Sequence, residues 1–400
     1  SKSTIVCWAM GLTQHRNSVA IIQEIANLLL LGGHIGRPGA GVCPVRGHSN
    51  VQGDRTVGIN HNPSAKFLSD LHDSTGIAIP TKPGVDSVRA VKSMRGGTAK
   101  VFLSMGGNFV SAMSDTKATA SALSNCSITA QISTKPNRSH LVTGRTALIL
   151  PCLGRSEKDH TSVGEQFVSV ENSMGIVHSS RGSSKPASGM LRSEPSIVSG
   201  IAGALDTRIG RSGIAWQDLA EDYDKVRDMI EATIPGFEGY NERVRLDGGF
   251  YLPNPPRDSR TFPTESGYAN FRVHDLSGAS AGSGQYLMMT IRSHDQYNTT
   301  IYGLDDRYRG INKGRRVVLM NQSDMDDNDW SKGDLVDLTS HFEGNELHAR
   351  EWYIVPYEIP KGNIATYFPE ANVLVPLDSV AEGSNTPTSK SVVVTIRATD

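Results

Sequence analysis

Two side chains with complementary chemistry stand close together near the start of the sequence. Arg46 and His48 lie within residues 32–53, the glycine-rich stretch GGHIGRPGAGVCPVRGHSNVQG, which follows neither a helical nor a strand period. Arginine is a permanent cation with forked donors, and histidine exchanges a proton near neutral pH. The pair therefore predicts a catalytic site in which Arg46 holds an anionic substrate and His48 moves a proton. Gly36 could let this loop wrap a bulky ligand, and the alternative is a surface loop with solvated side chains.

A second dense group of polar side chains follows a predicted strand in the C-terminal part of the chain. Residues 290–302 read TIRSHDQYNTTIY, a run richer in hydrogen-bond donors than an average turn. A ligand with phosphates and heterocyclic edges would use such donors, and the alternative is a polar hairpin at a domain boundary. The predicted ligand contacts in this run are Arg292, His294, Gln296, Asn298 and Thr299.

Two further turns also follow predicted strands. Gly106-Gly107-Asn108 comes directly after KVFLSM, where glycine lets the backbone approach a ligand and the next helix offers N–H groups to a phosphate. Asn321 and Asp324 follow RRVVLM and could read an amino-bearing base edge, because a carboxylate accepts hydrogen bonds from N–H groups. Both sets also occur in ordinary tight turns, and the sequence leaves that alternative open.

The elements that must position these groups alternate between strands and helices in the first part of the chain. Strand-like runs cover 4–10, 100–105, 127–132 and 147–150, and helical spacing covers 19–30 and 110–123. This order predicts βαβ units with a mostly parallel sheet, the α/β fold class with Rossmann-like domains. Farther on, the spacing predicts an amphipathic helix over 218–230.

Beyond about residue 284 the pattern changes to short strands. They are predicted over 286–291, 316–320, 335–339, 348–355 and 391–396. Because no long helical period separates them, we expect a C-terminal β-barrel domain. The predicted domains are 1–48, the end of a nucleotide-binding α/β domain; 49–160, a second α/β dinucleotide-binding domain; 161–275, an irregular α+β connecting region with a linker near 252–264; and 284–400, the barrel.

Composition excludes several functions. The 400 residues carry 40 basic and 41 acidic side chains, so net charge gives no reason to expect a nucleic-acid or anionic membrane partner. No apolar run reaches the ~18–20 residues of a membrane span. The four cysteines form no C-x-x-C pair, which argues against a zinc ribbon or an iron–sulfur site in this sequence and favours a reducing, cytoplasmic location. No Walker loop, complete G-x-G-x-x-G or protease motif is present.

Long ordered motifs give a more specific indication. The run WAMGLTQHRNSVAIIQEIANLLLLGGHIGRPGAGVCPVRGHSNVQG resembles the central segment of the molybdopterin oxidoreductases of the DMSO reductase superfamily, most closely formate-dehydrogenase-like alpha subunits of the YdeP type. The runs MTIRSHDQYNTTIYGLDDRYRG and YFPEANVLVPLDSVAEGSNTPTSKSVVV resemble that family's molybdopterin-dinucleotide-binding domain, a barrel of the double-psi type.

The resemblance implies an enzyme that holds molybdenum between two molybdopterin guanine dinucleotides. It implies that this chain, which begins at Ser1 rather than Met, is the C-terminal portion of the enzyme and is inactive alone. A 4Fe-4S cluster is then expected from an N-terminal region, and the residue that ligates the metal would also lie upstream, so no metal ligand is assigned here. A small-molecule substrate and an electron-transfer protein would be the partners.

Family roles carry over to matching positions. Arg46 would sit beside the metal and orient formate, with His48 assisting proton transfer, while 292–299 would hold pterin and phosphate groups and Asn321 and Asp324 would face a guanine. The remaining implied cofactor contacts are Gly11, Thr13, Gln14, Gly36, Gly106, Gly107, Asn108, Thr134, Lys135, Asn372 and Lys390.

Three residues depart from the family pattern: His48 replaces Gln, Gln131 replaces an Asp that contacts guanosine, and Tyr268 replaces Lys. The resemblance favours formate-dehydrogenase-like two-electron oxidation. The alternatives are a reductase of a small oxyanion or N-oxide with the same cofactor, and a non-catalytic cofactor-binding or acid-stress protein.

Overall fold

A computed structural model describes residues 2–46, 48, 50–80, 82–210, 212–275 and 278–399. Its strands are β1 (Ile5–Trp8), β2 (Gly41–Pro44), β3 (Val101–Met105), β4 (Ile128–Ser133), β5 (Thr146–Pro151), β6 (Asp159–Thr161), β7 (Gly164–Gln166), β8 (Val168–Glu171), β9 (Ile176–Ser180), β10 (Phe250–Tyr251), β11 (Tyr286–Ile291), β12 (Val317–Met320), β13 (Leu335–Phe342), β14 (Asn345–Pro356), β15 (Asn363–Tyr367) and β16 (Val392–Ala398).

Its helices are α1 (Met10–Thr13), α2 (Ser18–Leu31), α3 (Val51–Thr56), α4 (Ala65–Thr75), α5 (Ser87–Arg95), α6 (Phe109–Ala112), α7 (Thr116–Ser124), α8 (Glu194–Ile209), α9 (Trp216–Glu221), α10 (Tyr223–Thr233), α11 (Tyr240–Arg243), α12 (Pro255–Asp258) and α13 (Gln322–Asp326). Two 3₁₀ turns, Arg138–Leu141 and Glu370–Leu374, complete the regular structure of the described residues.

The first part of the chain contains the predicted parallel sheets. β1 pairs with β2, and β3, β4 and β5 pair side by side, all in parallel. Apolar residues of α5 and α7, including Val91, Ala122 and Leu123, form a fully buried cluster with Phe102 of β3 at its edge. The α/β class is thus confirmed, and the carboxyl ends of β3 and β4 meet at one edge of their sheet, where ligands of such sheets bind.

Local capping divides two of the predicted helices. The helix expected over 110–123 is two helices, because Asp115 takes a left-handed φ of 46° and its side chain accepts from the backbone N–H of Ala118 at 3.0 Å. The helix expected over 218–230 is also two, because Asp222 accepts from Asp224 N–H at 3.0 Å and starts α10. An Asp that bonds its own downstream backbone competes with a continuous helix.

The middle of the chain packs three short strands against helices. β8, β9 and β10 form an antiparallel sheet, and its core contains Phe237, Tyr240 and Phe250 in ring contact. The segment near 252–264, predicted as a linker, contains the short helix α12 and otherwise no regular structure.

The C-terminal strands close into a six-stranded barrel in the order β11-β15-β12-β14-β13-β16, which confirms the predicted barrel. Met288, Val318, Leu338 and Ile354 are completely buried inside it. Several strands escaped prediction, namely β2, β6, β7, β9, β10 and β15. The sequence of β15, NIATY, is short and flanked by turns. β2, with the sequence GVCP, pairs with β1 and lies inside the stretch 32–53, which was expected to be a loop.

One carboxylate organises the polar loop between β11 and β12. Asp306 is 3% exposed; it accepts hydrogen bonds from the Tyr367 hydroxyl at 2.8 Å and Arg309 Nη1 at 2.7 Å, and lies 3.1 Å from His294 Nδ1. Burial alone would raise the pKa of Asp306, but the hydrogen bonds from Tyr367, Arg309 and His294 lower it to about 2. The charged form therefore stabilises the fold of this loop.

The segment after β15 attaches the barrel to the α/β part. The buried amide of Asn372 donates to the carbonyls of Ser111 at 2.7 Å and Ala112 at 3.2 Å, at the end of α6. Asp115 N–H donates to Val375 O at 2.8 Å, and the Ser389 hydroxyl donates to the Gln14 side chain at 2.7 Å. These bonds fix the barrel over the carboxyl ends of both sets of parallel strands.

Replacing Asp306 by Asn should lower the free energy of unfolding by about 3 kcal/mol at pH 7, because the buried Arg309 then loses its counter-charge. The native carboxylate contributes fully above its unfolded pKa of about 4, and the contribution is lost as the pH falls from about 4 to about 2. Urea unfolding at pH 7 measures the change. Asp305→Asn, at the exposed neighbouring position, is the control, and equal stability of both variants would contradict the assigned role.

Candidate functional site

A cavity of about 830 Å³ lies where the barrel covers the edge of the β3–β4 sheet. Its wall includes Asn108 and Lys135 from the turns that follow β3 and β4, and Thr299 from the barrel loop. Three residues predicted from separate motifs therefore face the same space. The size suits a ligand as large as a nucleotide.

The lining of this cavity is predominantly basic. Five lysine and arginine side chains and two carboxylates contribute to it: Lys117, Lys135, Arg138, Arg316, Arg350, Glu351 and Glu370. Of the five cations, only Arg350 has a carboxylate within 4.0 Å among the described residues, namely Asp337. Unpaired cations around a large cavity attract an anionic ligand.

The turn after β3 is built to leave backbone accessible. Gly106 and Gly107 take left-handed φ angles of 68° and 74°, and a side chain at either position would meet nothing within 4 Å. Asn137 donates to Gly107 O at 2.8 Å, and Asn108 accepts from the Ser139 hydroxyl at 3.0 Å. The 3₁₀ turn after β4 thus holds the glycine turn in place beside open space.

A second group of cations lies between α1 and the barrel. Lys390 Nζ donates to the Thr290 carbonyl, and Arg292 Nη2 contacts Met10 Sδ at 3.7 Å. Neither cation has a carboxylate partner among the described residues. Burial lowers the pKa of Lys390 to about 8, with the charge of Arg292 adding to the shift, and burial also lowers the pKa of Arg292.

The residues around these cations come from the motif after β1. Gln14 accepts from Ser389, and its carbonyl accepts from Lys390 N–H at 3.2 Å. Burial lowers the pKa of His15, while a hydrogen bond with the Gly11 backbone opposes the shift and the charge of Lys390 adds to it. Two half-buried cations without a carboxylate partner among the described residues, beside a strand–helix turn, fit a phosphate or another anion.

Arg46 and His48 lie at the start of the loop that follows β2. Both side chains are exposed, and Arg46 has no hydrogen bond or ion pair with the described residues. The His48 ring packs against Tyr297 of the barrel loop, with ring centroids 5.6 Å apart. Their neighbours Gly47 and Ser49 lie outside the described residues. The exposed Arg46 side chain is accessible to an anion, but exposure also fits the alternative of a solvated surface loop, so its role stays a prediction.

Several predicted ligand contacts use their polar groups inside the protein. The Gln296 carbonyl oxygen accepts from Arg315 at 2.9 Å, and its amide donates to the carbonyls of Asn298 and Phe368. His294 pairs with Asp306, as described above. Both side chains shape the barrel loop, but Nε2 of the 43% exposed His294 has no hydrogen bond with the described residues, so a ligand contact there stays a prediction.

Asn321 and Asp324 line none of the cavities described here. Asn321 caps α13, accepting from Ser323 N–H at 2.8 Å and donating to Ile359 O at 2.6 Å. Asp324 is buried and accepts from Gly362 N–H at 2.7 Å. A role in guanine recognition therefore remains a prediction for both residues.

Gly36 and Thr134 are also placed away from the large cavity. Gly36 has a φ of 67°, and the space that a side chain would need there is filled by Arg260, whose Nε donates to Gly36 O at 3.2 Å. Thr134 is exposed next to Lys135, and Thr13 ends α1. Gln131, the departure from the family's Asp, is buried and donates to Ser139 O at 3.0 Å.

Sequence reasoning missed most of the cations and both carboxylates that line the cavity. Arg138 lies in the run TKPNRS directly after the predicted Lys135, so proximity to that motif could have indicated it. Arg316, Arg350 and Glu370 come from three separate barrel segments, and no local pattern links them.

A second cavity, of about 850 Å³, is lined by His15 but by none of the predicted site residues. In the part of the chain that the structure describes, no group of three or more His, Cys, Asp or Glu side chains is arranged to hold a metal ion. A search of the described helices finds none with the length and apolarity needed to cross a membrane.

Comparison with known families gives the class of protein. Residues 1–163 match the family model described as Molybdopterin oxidoreductase, and residues 286–393 match the Molydopterin dinucleotide binding domain. The chain belongs to the molybdopterin oxidoreductase family, as the sequence motifs predict.

Individual relatives carry little functional description. The chain is 51% identical over its whole length to the "Uncharacterized oxidoreductase Rv2900c" of Mycobacterium tuberculosis (strain H37Rv). It is 44% identical over 98% of its length to "Protein YdeP" of Escherichia coli (strain K12). In both cases the match covers 52% of the relative, so the chain spans about half the length of these curated relatives.

Anion binding near Lys390 should depend on pH. A lysine with a pKa of about 8 is charged below that pH and neutral above it, so pyrophosphate should raise the melting temperature at pH 7 and lose this effect as the pH rises through about 8. Lys390→Met should abolish the shift at pH 7. Lys361→Met removes an exposed lysine that is paired with Asp327 and should keep it. An unchanged shift in Lys390→Met would rule out an anion site at this lysine.

Proposed function

We propose that the chain is the dinucleotide-holding C-terminal part of a molybdenum bis(molybdopterin guanine dinucleotide) oxidoreductase. The observation that carries this proposal is the basic cavity of about 830 Å³ between the β3–β4 edge and the barrel. A dinucleotide presents a pyrophosphate, which requires cations, and a base, which requires hydrogen-bonding groups at a distance from them. Arg292 and Lys390, which have no carboxylate partner among the described residues, form a separate group of cations. This group supports the binding of a second dinucleotide.

The described residues fit these ligands by the chemistry of their donors. Lys135, Arg138 and the Gly106-Gly107 backbone would hold one dinucleotide. Arg292 and Lys390 would hold the other, beside the turn that contains Gln14. When bound, the molybdenum cofactor supplies two-electron redox chemistry, while the protein supplies binding, orientation and electrostatics.

The proposed substrate is a small anion, with formate as the first candidate. Oxidation of formate releases carbon dioxide, one proton and two electrons. Arg46 would hold the carboxylate through its forked donors, and His48 would accept the proton. The exposed Arg46 side chain supports this assignment, because no carboxylate among the described residues neutralises its charge.

His48 also favours a second candidate. A reductase of a small oxyanion or N-oxide needs proton delivery at the same position, and an imidazole packed on Tyr297 can provide it. A dye-linked assay that compares formate oxidation with oxyanion and N-oxide reduction separates the two reactions. Absence of all turnover in a cofactor-loaded enzyme would favour a non-catalytic cofactor-binding protein.

The 4Fe-4S cluster, the metal-ligating residue and an electron-transfer protein partner belong to this proposal as contributions from outside these 400 residues. A reducing cytoplasm would be the setting, since all four cysteines are free. The 400-residue chain by itself should not turn over substrate, so activity tests require the full-length protein.

The full-length protein, made in a host that synthesises the cofactor, should contain about one molybdenum and two pterins per chain. Mass spectrometry measures molybdenum and tungsten, and the fluorescence of the oxidised pterin measures the pterin content of the same sample. A protein that contains neither would contradict the proposed cofactor.

Arg46→Ala in the full-length enzyme should raise KM for formate at least about tenfold or abolish turnover, because the loss of a charge-assisted contact removes substrate binding. Metal and pterin content should stay unchanged. Arg55→Ala, which removes another exposed arginine nearby, is the matched control. Kinetics of Arg46→Ala equal to those of the control would end the substrate-binding assignment.

A further inference from the structure

Two cysteines lie side by side on the neighbouring strands β1 and β2. Cys7 and Cys43 are direct partners in the parallel register of these strands, although the helix α2 separates them in the chain. Directly paired residues of neighbouring strands point to the same face of a sheet, so both thiols lie on one face. The sequence gives no sign of this pair, because its four cysteines form no C-x-x-C motif.

The spacing of the two strands suits a covalent bond between the thiols. Neighbouring strands lie about 4.7–4.9 Å apart, and a disulfide requires Cα atoms about 4.4–6.8 Å apart. The two side chains already interact: burial raises the pKa of Cys43, and a hydrogen bond with Cys7 and the charge of Cys7 add to the shift. A bond between the two sulfur atoms therefore requires little movement of the backbone.

The thiols of the chain differ in exposure. Cys7 is exposed and Cys43 is half-buried, so an oxidant reaches Cys7 first and the adjacent Cys43 can convert the product to a disulfide. The other two cysteines, Cys126 and Cys152, are each 2% exposed. Burial raises the pKa of both of these thiols, that of Cys152 to about 11. Both are therefore poor targets for the same oxidant.

We propose that Cys7 and Cys43 form a reversible dithiol–disulfide site, which a peroxide oxidises and a small thiol reduces. The inference goes beyond the proposed function and does not depend on the cofactor or on the reaction proposed above. In a reducing compartment, disulfides of this kind are transient and belong to redox-sensing sites.

Two steps form the disulfide. The Cys7 thiolate attacks an oxygen of hydrogen peroxide, the O–O bond breaks, and Cys7 becomes a sulfenic acid while the other oxygen leaves as water. Cys43 sulfur then attacks Cys7 sulfur, the S–O bond breaks, and the hydroxyl group leaves as water with the proton of the Cys43 thiol. The two thiols thus lose two electrons, which reduce one peroxide to two molecules of water. Oxidation of Cys7 also removes the charge that adds to the raised pKa of Cys43, which favours the second step.

The reverse reaction needs a reductant. Two molecules of a small thiol open the bond by thiol–disulfide exchange, return both cysteines to the thiol form and are themselves oxidised to a disulfide. The site can therefore pass through the cycle repeatedly, as long as Cys7 does not proceed to the sulfinic acid.

The test treats the reduced full-length protein with hydrogen peroxide, unfolds it, blocks the remaining thiols with iodoacetamide and digests it with trypsin without reduction. Cys7 and Cys43 fall in different tryptic peptides, 3–16 and 17–46, because trypsin does not cleave between Arg37 and Pro38. Mass spectrometry should find the two peptides as one linked species, lighter than their sum by two hydrogen atoms. Dithiothreitol should separate them, and the peptides of Cys126 and Cys152 should carry the alkyl group.

Variants assign the two tasks. Cys43→Ser should give no linked species, and its Cys7 sulfenic acid should persist and react with dimedone. Cys126→Ser, the matched control at a buried cysteine, keeps a donor to Ala122 O and should form the link to the same extent as the wild-type protein. Oxidation should raise the melting temperature of the wild-type protein and of this control but not that of Cys43→Ser, because a crosslink lowers the entropy of the unfolded chain.

Three results would overturn the inference. The first is that Cys7 and Cys43 both remain open to alkylation after peroxide treatment of the wild-type protein. The second is oxidation of Cys7 to a sulfinic or sulfonic acid while Cys43 stays free, which would mean that the two sulfur atoms do not meet. The third is a link between two protein molecules, which a non-reducing gel shows as a dimer. Thermal unfolding of the reduced variants confirms that each is folded.

Discussion

The buried amide of Asn372 is the interaction on which the candidate site depends. It donates to two carbonyls at the end of α6 and so anchors the barrel directly over the edge of the β3–β4 sheet. Carbonyls at a helix end need donors, and here a side chain from a different part of the fold provides them. Together with the bond from Lys135 Nζ to Thr300 O at 3.1 Å, it sets the position of the cavity wall formed by Glu370 and Thr299 relative to Lys135.

The balance between the cost of burying a charge and the gain from its interactions differs between Asp306 and Lys390. Around Asp306, hydrogen bonds from Tyr367 and Arg309 outweigh the cost of burying a carboxylate, so the charge strengthens the loop. Lys390 Nζ donates to the carbonyl and the hydroxyl of Thr290 but has no carboxylate partner among the described residues, and burial lowers its pKa to about 8. The two places therefore differ in whether a carboxylate balances the buried charge.

Local patterns in the sequence predicted the elements whose residues are strong formers of one structure. β3 and β4 are rich in β-branched and apolar residues, and α2 has a clear helical period that ends at Gly32. β2 is only four residues long in a glycine-rich stretch, and its strand conformation depends on pairing with β1. The breaks at Asp115 and Asp222 were missed because a single capping bond decides them, and the surrounding periodicity continues across the break.

Prediction of the candidate site from the sequence is limited in the same way to residues that lie in local patterns. A glycine turn and a donor-rich run indicated Asn108 and Thr299, because both are local signals, whereas Lys135 was implied by the resemblance to the family. Arg316 and Glu370 belong to the site only through the closure of the barrel, which brings distant strands together. At Asn321 the side chain caps a helix and donates to Ile359 O, as in the local alternative, and a role in base recognition stays a prediction.

The bonds that fix the barrel also determine when the site can exist. Asn372 and Ser111 are 261 residues apart in the chain, and Ser389 and Gln14 are 375 apart. Contacts of such long range form late, because most of the chain must be ordered before they can close. During synthesis on the ribosome, the α/β part therefore emerges and folds with its strand edges uncovered. Any ligand of the cavity can be enclosed only after the barrel has packed onto the α/β part through these bonds.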